Sequence, residues 1–371
     1  MIILKFLQFS APYKGAFINS LERLEELNNI NMQFVYVFPN KTKATPWIHE
    51  FMLNHKVYFT SDNLIKSTNE ILNIFTEVQP DIAHTHFDGY DMPVIWARNK
   101  YLKRERRHIK IIWHLRNRIT FHSNLLKKLY QYIIFKYHYG YLALNVNVIS
   151  VSQEMEHFVN RFKKRNNSKF ITEVVANGVK VPKNYVINER DKSSYPIFGA
   201  FGSRNEQKRV DVLLKAGEIL AKKNVKFKIL ITKGVDTQEV ITQYFKSKQP
   251  DWLILIDQTD KIYEFFSRIN CFVSTSIHET FSNAILEATF YNTPVIQSDI
   301  AGTQWNAYNP STFVFESVNA QDLSAKMEAY LKVSKEEIKQ KCIETKEINK
   351  KKYDVDIWCK KISDIYINLT N

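Results

Sequence analysis

Short runs of β-branched and aromatic residues alternate with helix-length amphipathic segments along almost the whole chain, and no other feature restricts the fold as tightly. Expected strands are residues 2–9, 32–38, 81–85, 109–113, 146–151 and 170–175. Segments between them, such as 15–28, 63–78 and 153–163, carry apolar residues at i, i+3, i+4 and i+7, the spacing of one helix face. Strands separated by helices of that length build a parallel sheet with both faces covered. The alternation pauses at 180–195, KVPKNYVINERDKSSY, a polar stretch with a proline that reads as a linker. It then resumes with strands 197–201, 227–232, 252–256, 271–275 and 295–298 and helices 210–223, 237–246, 261–268 and 283–290. The expected architecture is therefore α/β, with two Rossmann-like, doubly wound parallel-sheet domains, residues 1–185 and 186–353. Such sheets take ligands beyond the carboxyl ends of their strands, so two of them facing each other would make one cleft.

Length supports the division, since 371 residues exceed what one ordinary core organises. No stretch approaches the ~18 consecutive apolar residues of a membrane span. The opening MIILKFLQF reads as a first strand and not as a signal peptide, because no basic leader precedes it. Cys271, Cys342 and Cys359 are odd in number and lack metal-ligand spacing, which fits reduced thiols and a cytoplasmic protein. The formal charge of +14 asks for an anionic partner. Twelve Lys/Arg against one acid, Glu105, fall between Arg98 and Lys136. No RNA-recognition or helix-turn-helix pattern accompanies them, so a nucleic-acid partner is not expected.

The densest chemistry lies in residues 274–301, STSIHETFSNAILEATFYNTPVIQSDIA. A strand ends near Thr275, a loop carries His278 to Ser282, and a helix opens at Asn283. Amides of Ser282, Asn283 and Ala284 at that opening, with the positive end of the helix dipole behind them, suit an anion. Glu279 stands in the loop, and Glu287 lies just over one turn into the helix on a face that can turn back toward the same opening. Earlier, GAFGSRNEQKRVDVLLKAGEIL places Arg204 and Lys208 between the first strand of the second domain and its helix. Cations aimed at a departing diphosphate would stabilise the charge that grows there, roughly 3–4 kcal/mol for each preorganised contact.

These residues resemble glycosyltransferase family 4. The likeness rests on Gly202, Arg204 and Lys208, on the run from Glu279 through Thr280-Phe281-Ser282-Asn283 to Glu287-Ala288, and on Thr293-Pro294-Val295. In the N-terminal half it rests on Pro12-Tyr13-Lys14-Gly15-Ala16, Pro80-Asp81-Ile82-Ala83-His84-Thr85-His86, Trp113-His114, Val151-Ser152 and Ala176-Asn177-Gly178-Val179. The resemblance implies a GT-B fold, with a last helix at about 354–371 crossing back onto the first domain. It implies a retaining, metal-independent transfer of sugar from a nucleotide diphosphate donor, plausibly a UDP-sugar. The acceptor would be a cell-surface glycan, glycolipid or protein, as in polysaccharide biosynthesis. Carried onto this chain, Arg204 and Lys208 hold the diphosphate, and Glu279 contacts the donor sugar. Amides around Phe281, Ser282 and Asn283 touch sugar and phosphate, and Glu287 takes the ribose hydroxyls. Gly15 lets its loop approach the phosphates, and His114 sits near the sugar. Departures are Arg204 one place late, Thr280 and Ser282 in place of glycines, Ala301-Gly302 for a double glycine, and Trp305 where an acid is common. They motivate an alternative, a catalytically weak transferase-like subunit that binds acceptor or stabilises a partner enzyme.

Other signals carry less. Asp354-Val355-Asp356 precedes a terminal helix, where aspartate is an ordinary N-cap. His84 and His86 share a strand face as zinc ligands do, but the sequence offers no third ligand beside them. No metal and no cofactor is expected. Arg116 and Arg118 are candidates for a phosphorylated or lipid-diphosphate acceptor. Residues 125–141, LLKKLYQYIIFKYHYGY, suit either a buried helix or peripheral contact with an anionic membrane at the inner face of the cell.

Overall fold

A computed structural model describes residues 1–28, 31–117, 124–162, 172–180, 195–246 and 249–370. The described chain falls into two compact units, Met1–Gly178 with Val355–Asn371, and Val179–Asp354. In the first, β1 (Ile2–Leu7), β2 (Gln33–Pro39), β3 (Lys56–Thr60), β4 (Ile82–His86), β5 (Lys110–Leu115), β6 (Val146–Ser150) and β7 (Thr172–Val174) form one parallel sheet. Their order is β3-β2-β1-β4-β5-β6-β7. In the second, β8 (Ile197–Phe201), β9 (Lys228–Thr232), β10 (Leu253–Ile256), β11 (Cys271–Ser274), β12 (Val295–Ser298) and β13 (Thr312–Phe315) run in the order β10-β9-β8-β11-β12-β13. Each order reverses once, between β1 and β4 and between β8 and β11. Neighbouring connections there leave on opposite faces and open a crevice at the strand ends.

Both faces of each sheet are covered, so the central strands are apolar throughout. In β1, IILKFL, every residue after Ile2 is buried. Leu4 and Phe6 join the core that contains Val35, Phe75 and Trp113. Ile3 and Leu7 join the opposite one with Ile18, Tyr36 and Trp358. Helices begin where short polar side chains satisfy free amides. Asn63 accepts from Lys66 N, Ser152 from Met155 N and Ser334 from Glu337 N. The last helix, Val355–Thr370, buries Trp358, Cys359, Ile362 and Tyr366 in the first unit's core. Asp356 fixes its start by a two-bond pairing with Arg23, at 2.7 and 2.8 Å. The return of the terminal helix to the first domain is therefore a property of the fold, and Asp356 serves there as an anchor.

Two strands and three long helices, Asp91–Glu105, Ala320–Leu331 and Lys335–Tyr353, are not among the expected elements. The edge strand β3 is half exposed, and β13 is only four residues long. The helix Asp91–Glu105 buries Asp91 and carries four basic residues, which blurs its apolar stripe. Most of the expected linker, 181–194, lies outside the described residues.

Candidate functional site

At the β8–β11 reversal, the short helix Asn205–Lys208 follows β8 and the loop 275–282 follows β11. Thr275 Oγ1 donates to the Lys208 carbonyl at 2.6 Å, and Ile277 N donates to the Gln207 carbonyl at 3.0 Å. Gln207 Nε2 returns a bond to the His278 carbonyl at 3.2 Å. These contacts bring the two segments together, and the Lys208 ammonium meets Glu279 Oε1 at 2.5 Å. Ser276 Oγ donates to the same carboxylate oxygen at 2.9 Å. The pair is partly open to solvent. Gly302 is required opposite it, because a Cβ there would lie 1.9 Å from the Glu279 carbonyl oxygen.

The helix Asn283–Phe290 opens just beyond, with Ser282 at its N-cap making no side-chain cap bond. Glu287 is half-buried within it, without a hydrogen bond or ion pair, and desolvation pushes its carboxyl up to about 7. Phe281 stacks on Trp305 at 4.7 Å, and both rings meet Tyr353 at 5.3 and 5.1 Å. Trp305, unexpected by sequence, therefore walls this loop with apolar surface. Arg204 is exposed, and its side chain makes no bond among the described residues. The second unit thus joins Lys208 to Glu279 directly, and neither Arg204 nor Glu287 makes a contact with that pair. Arg209, next to Lys208, is held at a positive φ and pairs with Asp211 through two 2.8 Å bonds.

The first unit places its candidates differently. Gly15 opens the helix Gly15–Glu26 at φ +59, a conformation that favours glycine, with open space where a Cβ would go. His114 is sealed in a row with Lys5, His84 and His86, with the half-buried Arg116 beside them. His84 and His86 stack at 4.1 Å, and His114 lies 5.4 and 5.1 Å from them. His84 Nδ1 meets the Tyr366 hydroxyl at 2.7 Å, while Nε2 of His84 and both ring nitrogens of His86 and His114 lack a partner. Burial, reinforced by Lys5 and Arg116, pushes all three imidazoles well below their usual range. Lys5, over the Phe34 ring at 4.5 Å, is pushed down to about 7 by the same desolvation.

Two readings change here. A third histidine does stand beside His84 and His86: ligand nitrogens of His84, His86 and His114 all lie within 4.8 Å of one another. Strand pairing sets His114 of β5 opposite His86 of β4, which spacing along the chain cannot reveal. The two neighbouring cations oppose a divalent ion at that place. Arg116, expected at an acceptor, instead turns inward. Its guanidinium packs on Phe17 at 4.5 Å and Trp358 at 5.6 Å and donates to Asn177 Oδ1 at 2.7 Å. Only its Nη1 is hydrogen-bonded; Nε and Nη2 are buried without a partner among the described residues. Arg118 lies outside the described residues. Lys5 is the member of the row that sequence reading missed; a lysine inside IILKFL is the signal.

Residues 183–348 match the family model described as Glycosyl transferases group 1. The chain is similar to an uncharacterized glycosyltransferase of Methanocaldococcus jannaschii, 26% identical over 64% of this chain and 60% of that protein. It is also similar to the capsular polysaccharide biosynthesis glycosyltransferase CapM of Staphylococcus aureus, 22% identical over 52% of this chain and 56% of the relative. The aligned part thus spans less than two thirds of either relative. Among solved structures, sucrose-phosphate synthase from Thermosynechococcus elongatus superposes with a TM-score of 0.78 at 13% identity, covering 100% of this chain and 99% of the other. Anabaena HepE, solved with UDP and glucose, superposes with a TM-score of 0.75 at 14% identity, covering 98% of each. The family match falls on the second unit, and the fold is GT-B.

Proposed function

We propose that the chain is a glycosyltransferase of family 4 type, moving a sugar from a nucleotide diphosphate donor, a UDP-sugar by preference, onto a glycan, glycolipid or protein acceptor. The observation that carries this reading is the Lys208–Glu279 pair, 2.5 Å apart beside an uncapped helix start at the β8–β11 reversal. HepE, of the same fold, is solved with UDP and glucose, and CapM is named for capsular polysaccharide synthesis. Both support the choice of donor and acceptor.

In this reading the Lys208 ammonium exchanges part of its bond to Glu279 for the donor diphosphate, with Arg204 free to follow. Ser276 keeps Glu279 in place as it turns to the sugar hydroxyls. Glu287, desolvated and unpaired, accepts from the ribose. Breaking the sugar–oxygen bond leaves a nucleoside diphosphate. The acceptor hydroxyl attacks the same face and loses its proton to the departing phosphate oxygen, so configuration is retained. Lysine, arginine and helix amides supply the positive charge, and no metal or other cofactor is needed. A thermal-shift panel of UDP-, GDP- and ADP-sugars with and without EDTA tests the donor and the metal together. Stabilisation by UDP-sugar unaffected by EDTA is expected. Stabilisation only by another nucleotide, or only with metal, rejects the corresponding part.

A further inference from the structure

The helix Leu125–Tyr137 has no buried residue. It is pinned from one side by Phe135, whose ring meets Phe158 at 5.4 Å and Phe162 at 5.9 Å. The opposite side repeats apolar residues at i, i+4 and i+8, the spacing of a continuous helical stripe. Leu125, Leu126, Leu129, Tyr130, Ile133 and Tyr137 compose it, each between 46% and 78% exposed. A surface helix ordinarily turns that stripe inward and shows charge to water. Here the order is inverted, so a large apolar strip faces outward.

Charge identifies what covers it. The thirteen residues contain no acid, and Lys127, Lys128 and Lys136 are exposed without an ion pair. A second copy docked on the same face would bring like charges together across a two-fold axis. An anionic lipid surface meets both needs, taking apolar side chains below the headgroups and lysines at their level. Tyr130 and Tyr137 suit that boundary, having an apolar ring and a polar tip. Thirteen residues of helix, about 20 Å, lie flat in such an interface and are too few to cross it.

We propose that Leu125–Tyr137 is an interfacial anchor that lays its leucine–isoleucine–tyrosine stripe into an anionic bilayer. The first unit is thereby held at a membrane face, and the proposal does not depend on the transfer reaction.

Flotation of the full chain with vesicles tests it, using phosphatidylcholine alone against phosphatidylcholine with phosphatidylglycerol, without any donor present. Wild-type protein floats with the anionic vesicles and not with the neutral ones, and the bound fraction falls in high salt. Each lysine near such a surface adds about 1 kcal/mol, so Lys127→Gln with Lys128→Gln and Lys136→Gln weakens partitioning roughly 100-fold. Leu126→Ser with Leu129→Ser and Ile133→Ser abolishes flotation. Because these side chains are already exposed, both triple variants keep the wild-type melting temperature. Wild-type protein that stays with neither vesicle, or floats equally with both, overturns the anchor. So does sedimentation showing a dimer that the serine variant disperses, since a second copy then covers the stripe.

Discussion

The two units share one topology and treat charge at their strand ends in opposite ways. In the second, Lys208 and Glu279 compensate each other within reach of water, ready to exchange partners. In the first, Lys5 and three imidazoles are enclosed with the half-buried Arg116 near Tyr366 and Trp358, and no carboxylate among the described residues bonds to any of them. A paired, open cluster costs little to maintain and is easily diverted to a ligand. A sealed cluster without counter-charge persists only because the surrounding core holds its members neutral or rests cations on aromatic faces. One arrangement fits binding, and the other stores instability that proton concentration can release.

The largest effect should come from acid acting on the sealed row. His84, His86 and His114 are neutral when folded, yet take up protons when unfolded below about pH 6.5. The unfolded state then binds more protons, so stability is lost as pH falls, by up to about 4 kcal/mol per pH unit for three such groups. Lys5 extends the slope upward: neutral in the fold above about 7 but charged when unfolded up to 10.5, it adds stability as pH rises between those values. Urea unfolding at pH 5.5, 6.5, 7.5 and 8.5, following Trp113 and Trp358 in the first unit, measures this. A midpoint that does not move between pH 6.5 and 5.5 would remove the contrast between the units.

The open pair should show the reverse balance, a large kinetic effect with little change in stability. Glu279→Ala or Lys208→Ala is expected to lower turnover by about 100-fold or more, the scale of a lost preorganised contact. Unfolding free energy should change by no more than about 1 kcal/mol, because the pair is partly exposed. Donor hydrolysis and transfer undiminished in both variants would show that the pair is structural.

Both sheets were legible because period-2 and period-3.6 patterns alternate clearly, and the loop 275–282 was legible because glutamate, serine and asparagine cluster at a strand–helix junction. What escaped depends on pairing across strands. Opposite β4, His114 of β5 completes a cluster with two histidines 28 and 30 residues earlier, and nothing in local spacing encodes that neighbour. Arg116, expected to meet an acceptor, is held by Phe17, Asn177 and Trp358, partners far along the chain that local spacing does not reveal. Lys5 is buried with Phe34 of β2 under its ammonium and Tyr366 of the terminal helix farther off.

Glu287 sharpens the comparison from within the second unit, being a desolvated group that lacks a partner. Its carboxyl, raised to about 7, must ionise before it accepts well from ribose hydroxyls. UDP should therefore bind about tenfold more tightly at pH 8 than at pH 6 by calorimetry, the span over which ionisation becomes nearly complete. Glu287→Gln should flatten that dependence, leaving only what the nucleotide's own phosphate contributes. An unchanged slope in the variant would take Glu287 out of the ribose site.

The smallest expected effect separates conformation from contact at Gly15. The residue sits at φ +59 with no atom within 4 Å of a would-be Cβ, so Gly15→Ala meets no clash and carries only the backbone term. That term is about 1 kcal/mol for a single left-handed residue, worth roughly 2–4 °C in melting temperature for a domain of this size. If the open space is there for donor phosphates, the added methyl also raises KM for the donor by more than it lowers kcat. Melting lowered by that amount with an unchanged KM would make Gly15 a turn residue alone.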